Sequence, residues 1–122
     1  MVYAGQEKCD NNLPSLFDID KVNWDGEDIT EIITRLALLS KDKIFSYGYY
    51  EIKFVDKDVF VGEYNYLGEK VIGIFNVGLE TGNIDIDLHD GIYNNLITGC
   101  EIAISEGKLE LIKKPIIFRV KQ

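Results

Sequence analysis

The spacing of apolar positions changes once along the chain, from a helical to a strand period, and that change divides it. Residues 8–23 are polar and irregular, with one short apolar patch at Leu16 and Phe17. From residue 28 the apolar positions Ile29, Ile32, Ile33, Leu36 and Leu39 fall on one stripe, which predicts an amphipathic helix over residues 28–41. Asp28-Ile29-Thr30-Glu31 has capping-box spacing: Asp28 is placed to accept from the backbone N–H near Glu31, and Glu31 to reach back. Glu31 and Arg35 stand four apart in the favourable order. The pattern fades at Ser40-Lys41-Asp42-Lys43, whose lysines suit a helix C-terminus.

From about Tyr47 the period becomes 2. Tyr50, Ile52 and Phe54 alternate with Glu51 and Lys53, and Asp56-Lys57-Asp58 turns into Val59-Phe60-Val61-Gly62-Glu63-Tyr64. Val71-Ile72-Gly73-Ile74-Phe75-Asn76-Val77 is a near-continuous apolar run suited to a central strand. Ile84, Ile86 and Leu88 then alternate with Asp85, Asp87 and His89, and four further short apolar runs follow, with Pro115 at a strand start where its missing N–H is tolerated. Short strands separated by turn signals predict an antiparallel Greek-key β-sandwich. The boundary falls near residues 44–47, giving a helix-bearing segment 1–45 and an all-β segment 46–122.

Composition narrows the function. The chain has 122 residues, 46% of them apolar and 11% aromatic, enough for one packed domain. Its 21 acidic residues against 13 basic ones are interleaved along the chain, for a net charge of −8. That balance argues against nucleic-acid binding, which needs clustered positive charge, and against an anionic membrane as partner. Cys9 and Cys100 are far apart, and with His89 as the one histidine no zinc-ligand spacing exists; nothing suggests a secreted disulfide scaffold. No cofactor is expected. The start lacks the pattern of a signal peptide, and no apolar run is long enough to span a bilayer, so the default expectation is cytoplasmic.

Several segments carry a resemblance. Met1-Val2-Tyr3-Ala4-Gly5-Gln6-Glu7 reads as the end of a buried strand opening into a loop, and is similar to the segment that closes the catalytic (β/α)8 barrel in glycoside hydrolase family 13, the α-amylase family. Phe17-Asp18-Ile19-Asp20-Lys21-Val22-Asn23-Trp24 resembles the family's stretch between the eighth barrel strand and the eighth helix. The helix from Asp28 then stands where that eighth helix would, with the family's Arg displaced. Val71-Ile72-Gly73-Ile74-Phe75-Asn76-Val77 and Gly91-Ile92-Tyr93-Asn94-Asn95-Leu96-Ile97-Thr98-Gly99 resemble strands of the family's C-terminal sandwich, domain C, with Asn95 where Asp is usual. Leu109, Leu111 and Ile116-Ile117-Phe118 resemble its closing strands.

The resemblance implies a C-terminal piece of an α-amylase-type enzyme: the end of the barrel, then a domain C sandwich that stabilises and shields it. The family's catalytic carboxylates would lie upstream of Met1, so the chain itself is expected to be non-catalytic, with α-glucan or maltodextrin as the parent's substrate. The implied partner is the catalytic barrel; in an isolated chain the helix stripe and the segment 1–4 are expected to self-associate, and a monomer at high concentration by light scattering would count against this. Glu7 belongs to a barrel-end motif and has no partner carboxylate. His89-Asp90 ends a strand and precedes a turn, which reads as a turn histidine. Asp85, Asp87 and Asp90 invite a calcium reading, but Asp85 and Asp87 on one strand face read better as solvated.

The aromatic set Tyr47, Tyr49, Tyr50, Phe54, Phe60, Tyr64 and Tyr66 has two readings. One places Phe60, Tyr64 and Tyr66 on a strand face as core and rim. The alternative is an accessory carbohydrate-binding module in which Tyr49, Tyr64 and Tyr66 contact sugar. Trp24 is expected to pack the helix against the loop.

Overall fold

The computed structural model describes residues 3–13, 15, 17–56 and 58–121, without the side chains of residues 54–56 and 121. Met1 and Val2 of the expected strand end, Leu16, Lys57 of the expected turn and the side chain of Phe54 lie outside the described residues. The chain forms two compact units, Met1–Leu38 and Leu39–Gln122.

The first unit is a loop with one 3-10 turn, Gln6–Lys8, followed by helix α1, Thr30–Leu39, whose last residue belongs to the second unit. Tyr3 and Ala4 are irregular and exposed rather than the end of a strand, there being no strand among the described residues of this unit for them to pair with. Asp10 organises the loop: its two carboxylate oxygens accept from the backbone N–H groups of Asn12 and Asn23, each at 3.0 Å. The capping box forms only in part. Asp28 Oδ1 accepts from the Thr30 N–H at 2.9 Å while Oδ2 pairs with Lys8 Nζ at 2.8 Å. Glu31 does not reach back, because Arg35 one turn later holds it at 2.8 Å. Along the expected stripe Ile29, Ile32, Ile33 and Leu39 are half-buried, and Leu36 is exposed.

The second unit opens with a short helix that periodicity did not predict, α2, Lys43–Tyr47. Its ends explain it. Asp42 is the N-cap, accepting from the Ile44 N–H at 3.1 Å, and the Gly48 N–H closes the helix on the Ile44 carbonyl at 3.0 Å. Five residues are too few for a 3.6-residue repeat to show against the strand pattern that follows.

Among the described residues eight strands complete the fold: β1 Tyr49–Asp56, β2 Val59–Tyr66, β3 Glu69–Asn76, β4 Asn83–Asp85, β5 Gly91–Asn94, β6 Glu101–Ser105, β7 Lys108–Glu110 and β8 Ile116–Lys121. They make two antiparallel sheets, in the orders β1-β2-β3-β8 and β4-β7-β6-β5. In the second sheet three consecutive strands lie side by side and β4 comes back beside β7, the Greek-key order. The fold is the expected mainly-β sandwich. The apolar run from Val71 forms the body of β3 as far as Asn76, flanked by β2 and β8, with Val71, Ile72, Gly73 and Ile74 all buried, while Val77 is an exposed turn residue. The alternating segment at 84–88 is a strand only to Asp85, since the Ile86 N–H turns to the Gly107 carbonyl at 2.8 Å. Its alternation survives in burial: Ile84 joins the core, and Ile86 and Leu88 pack against it.

Between the sheets Val59, Val61, Ile72, Ile74, Ile116 and Phe118 from the first meet Ile84, Ile104 and Leu109 from the second. The core is almost wholly β-branched and aliphatic, with Phe118 its one fully buried ring among the described residues. Asn95, fully buried, ties the loop after β5 to the start of β8. Its Oδ1 accepts from the Ile97 and Ile117 N–H groups at 3.0 and 3.2 Å, and its Nδ2 donates to the Pro115 carbonyl at 3.1 Å.

Candidate functional site

Strand side chains alternate between faces, so one face of the first sheet follows from register. Tyr50 opposes Tyr64, Phe60 opposes Phe75, Gly62 opposes Gly73 and Tyr64 opposes Val71, and Gly73 in turn opposes Ile117 on β8. Phe60, Tyr64 and Tyr66 therefore share a face, as the sequence suggests. It is the face turned away from the second sheet, because Val59 and Val61 at the intervening positions fill the core. The sandwich interior did not need these rings, and placing them on the other face gives the sheet a second apolar side.

That side carries a groove of about 240 Å³ lined by Phe45, Tyr50, Gly62, Tyr64, Phe75 and Ile117, among others. Glycines make its floor. A Cβ on Gly62 would come within 2.8 Å of the Tyr50 hydroxyl, and one on Gly73 within 2.8 Å of the Phe75 ring, so each ring lies directly over bare backbone. The rings brace one another: Tyr50 and Tyr64 have centroids 4.6 Å apart, Phe60 and Phe75 stack at 5.4 Å, and Phe45 of α2 meets Tyr64 edge-on at 5.0 Å. Ile52, 62% exposed, stands on this face opposite Gly62.

An ionic clamp holds α2 beside the groove. Arg119 of β8 donates to Asp42, the N-cap of α2, and to Glu69 at the start of β3. The Ile44 N–H and then Arg119 hold the Asp42 carboxyl below its ordinary value. On the opposite face Glu63 is the one buried charge among the described residues, 7% exposed, with Lys70 at 3.2 Å, Lys53 at 3.5 Å and the Asn65 amide at 3.3 Å. Burial alone would raise its carboxyl, but the hydrogen bonds from Asn65 and Lys70 and the charges of both lysines outweigh that and hold it down.

The sign of the pH dependence follows. A carboxyl with a depressed folded-state pKa adds stability that is complete above its ordinary value and lost as pH falls through the folded one. The urea midpoint is thus expected to be flat from neutral pH to about 5 and to fall below about 4.5. Glu63→Gln is expected to flatten part of that fall, measured by circular dichroism; an unchanged acid slope would contradict the role given to Glu63.

The remaining candidates separate. Tyr49 opposes Asn65 and lies on the other face of β1 from Tyr64 and Tyr66, 71% exposed. Tyr64 is built into the groove, whereas Tyr66 pairs with Tyr47 at 6.2 Å. Trp24 is 56% exposed. His89 is an exposed turn residue whose carbonyl accepts from the Tyr93 hydroxyl at 2.8 Å, and Asp90 caps the β6–β7 turn through the Glu106 and Gly107 N–H groups. Asp85 and Asp87 are exposed, and among the described residues no group of three His, Cys, Asp or Glu side chains is arranged to hold a metal ion. Both cysteines are exposed free thiols. Among the described residues no helix is long and apolar enough to cross a membrane. The glycine floor and the α2 clamp escaped the sequence reading; glycines inside two neighbouring strand patterns were the available signal.

Comparison with known proteins agrees with this architecture. The family model described as the bacterial alpha amylase C-terminal domain matches residues 51–118. An α-amylase from Lactobacillus plantarum superposes with a TM-score of 0.86 at 25% identity, over 98% of this chain and 29% of that one. The maltogenic α-amylase AmyB of Thermotoga neapolitana gives 0.74 at 17% identity, over 99% of this chain and 32% of its own. An Anoxybacillus α-amylase gives 0.63 at 18% identity, over 82% and 24%. The chain thus spans less than a third of each of these three enzymes. No curated protein matches it by sequence.

Proposed function

Because the chain belongs to the bacterial alpha amylase C-terminal domain family, we propose that it is the non-catalytic C-terminal portion of an α-amylase-type glycosidase acting on α-glucan or maltodextrin. Its task is to cover and stabilise the catalytic barrel. The observation that carries this reading is the second apolar side of the first sheet. A sandwich needs one buried face per sheet; here Phe60, Phe75, Tyr50, Tyr64 and Ile52 make an additional one around a glycine-floored groove. A contiguous apolar surface of this kind marks a docking face.

The carboxylates support the non-catalytic part. A retaining glycosidase needs two carboxyl groups about 5–5.5 Å apart, one of them an acid with a raised pKa. Among the described residues every carboxyl whose pKa is displaced is displaced downward. Glu63, Asp42, Glu69 and Asp28 each pair with a cation, and Asp90 accepts from two backbone N–H groups. Incubated with maltoheptaose, the isolated chain is expected to release no reducing sugar. An enzyme of this kind deleted for the segment is expected to keep its catalytic groups yet unfold at lower temperature. Hydrolysis by the lone chain, or an unaltered melting temperature after deletion, would overturn the proposal.

A further inference from the structure

The two edges of the first sheet are finished differently. At β8 the loop after β5 covers the edge: the Leu96 N–H donates to the Ile117 carbonyl at 2.7 Å, and the Ile117 N–H donates to Asn95 Oδ1 at 3.2 Å. At β1, the opposite edge, no backbone–backbone hydrogen bond among the described residues lies outside the ladder with β2. β1 is eight residues long, whereas the edge strands of the second sheet, β4 and β5, have three and four. A long row of free N–H and C=O groups is a template for a further strand. Residues 49–53 are all exposed, and a bulge between Phe54 and Asp56 ends the regular stretch.

Charge normally blunts such an edge, and Glu51 and Lys53 flank Ile52 here. These two charges are opposite in sign and symmetric about Ile52. Antiparallel pairing of two copies centred on Ile52 therefore sets Glu51 of each opposite Lys53 of the other, with both outer faces on one side. A shift of two residues either way sets Glu51 against Glu51 or Lys53 against Lys53, and parallel pairing in register does both. A shift of one residue turns one sandwich over relative to the other.

The surroundings of each charge fit the same partner. Glu51 opposes Glu63 across the β1–β2 ladder, a like-charge pair that a further cation relieves. Lys53 reaches Glu63 only at 3.5 Å, and its side chain is 51% exposed. If Lys53 turns outward, Lys70 at 3.2 Å and the Asn65 amide still hold Glu63.

We propose that the outer edge of β1 pairs with β1 of a second copy of this chain, antiparallel over residues 50–54 and centred on Ile52. The two first sheets then join edge to edge into one. Ile52, 62% exposed in the single chain, meets its own copy at the centre. The pairing uses the edge alone and leaves the outer side of the sheet, on which the proposed function rests, free. One strand pair is a small interface, so a dissociation constant on the order of 100 µM is expected.

Sedimentation equilibrium of the 122-residue chain, carried into the millimolar range, tests this. A monomer–dimer equilibrium is expected. Glu51→Lys and Lys53→Glu each set like charges opposite one another, and each is expected to weaken it about tenfold. Mixed together, the two variants present opposite charges at every such position and are expected to form a heterodimer. Circular dichroism spectra that match the parent's will show that both variants fold. In the unmodified chain, hydrogen exchange of alternate β1 amides is expected to slow as concentration rises. A chain that stays monomeric, β1 exchange independent of concentration, or a mixture that stays dissociated would overturn the pairing. So would an association that neither variant weakens, as one through the α1 stripe would be. Those outcomes leave the docking role intact, because it rests on Tyr50, Gly62, Gly73 and Phe75.

Discussion

Asn95→Ala is expected to lower the stability of the sandwich by about 3–5 kcal/mol, the largest loss for any polar residue in the fold. The side chain is fully buried and makes three bonds, to the N–H groups of Ile97 and Ile117 and the carbonyl of Pro115. Alanine leaves all three backbone groups without a partner where water does not reach, at about 1–3 kcal/mol each before relaxation. The same loop is tied by the Asn95 N–H to the Cys100 carbonyl at 2.8 Å and the Leu96 N–H to the Ile117 carbonyl at 2.7 Å, so the damage spreads to the first turn of β8. Asn95→Asp keeps an oxygen for Ile97 and Ile117; ionised, it buries a charge and sets its other oxygen against the Pro115 carbonyl, and protonated, its O–H donates to that carbonyl. It is expected to cost clearly less than alanine in acid, where the protonated form keeps all three bonds. Urea midpoints of the two variants, read by circular dichroism, check the order; equal losses would mean that Asn95 acts by its shape alone.

Asn95 also illustrates what a single sequence conceals. Its position in Gly91-Ile92-Tyr93-Asn94-Asn95-Leu96 carried a resemblance, but nothing in residue type separates Asn95, fully buried, from exposed Asn94. Strands and core were legible because a period of 2 and a continuous run such as 71–77 are direct consequences of pleating and of burial on both sides. The site was half legible. That Phe60, Tyr64 and Tyr66 share a face follows from spacing; which face it is depends on the partner sheet, which no local pattern contains. Chemistry alone groups Tyr49 with Tyr64 and Tyr66, yet its odd sequence separation from Tyr50 puts Tyr49 and Tyr50 on opposite sides of β1. The α2 clamp depends on Asp42 and Arg119, 77 residues apart, a contact beyond any window.

Ile52→Asp is expected to have unequal consequences in two settings. In the isolated chain Ile52 is 62% exposed, so the change should stay within about 0.5 kcal/mol, as for other surface substitutions. In an enzyme where this segment is joined to its catalytic barrel, the same carboxylate would be pressed without a partner into an apolar interface. A loss of about 3 kcal/mol is expected there, with a melting temperature several degrees lower. Differential scanning calorimetry on both proteins gives the comparison, and Ile52→Val serves as the control that keeps the surface apolar. Equal effects in the two settings would remove Ile52 from the interface.

The most direct measurement is footprinting of aromatic side chains by hydroxyl radicals, on the isolated chain and on an enzyme that contains it. If the outer face of the first sheet covers the barrel, Tyr50, Phe60, Tyr64 and Phe75 lose labelling in the intact enzyme while Tyr49, on the other face, keeps it. Labelling of those four rings that is the same in both proteins would contradict the account.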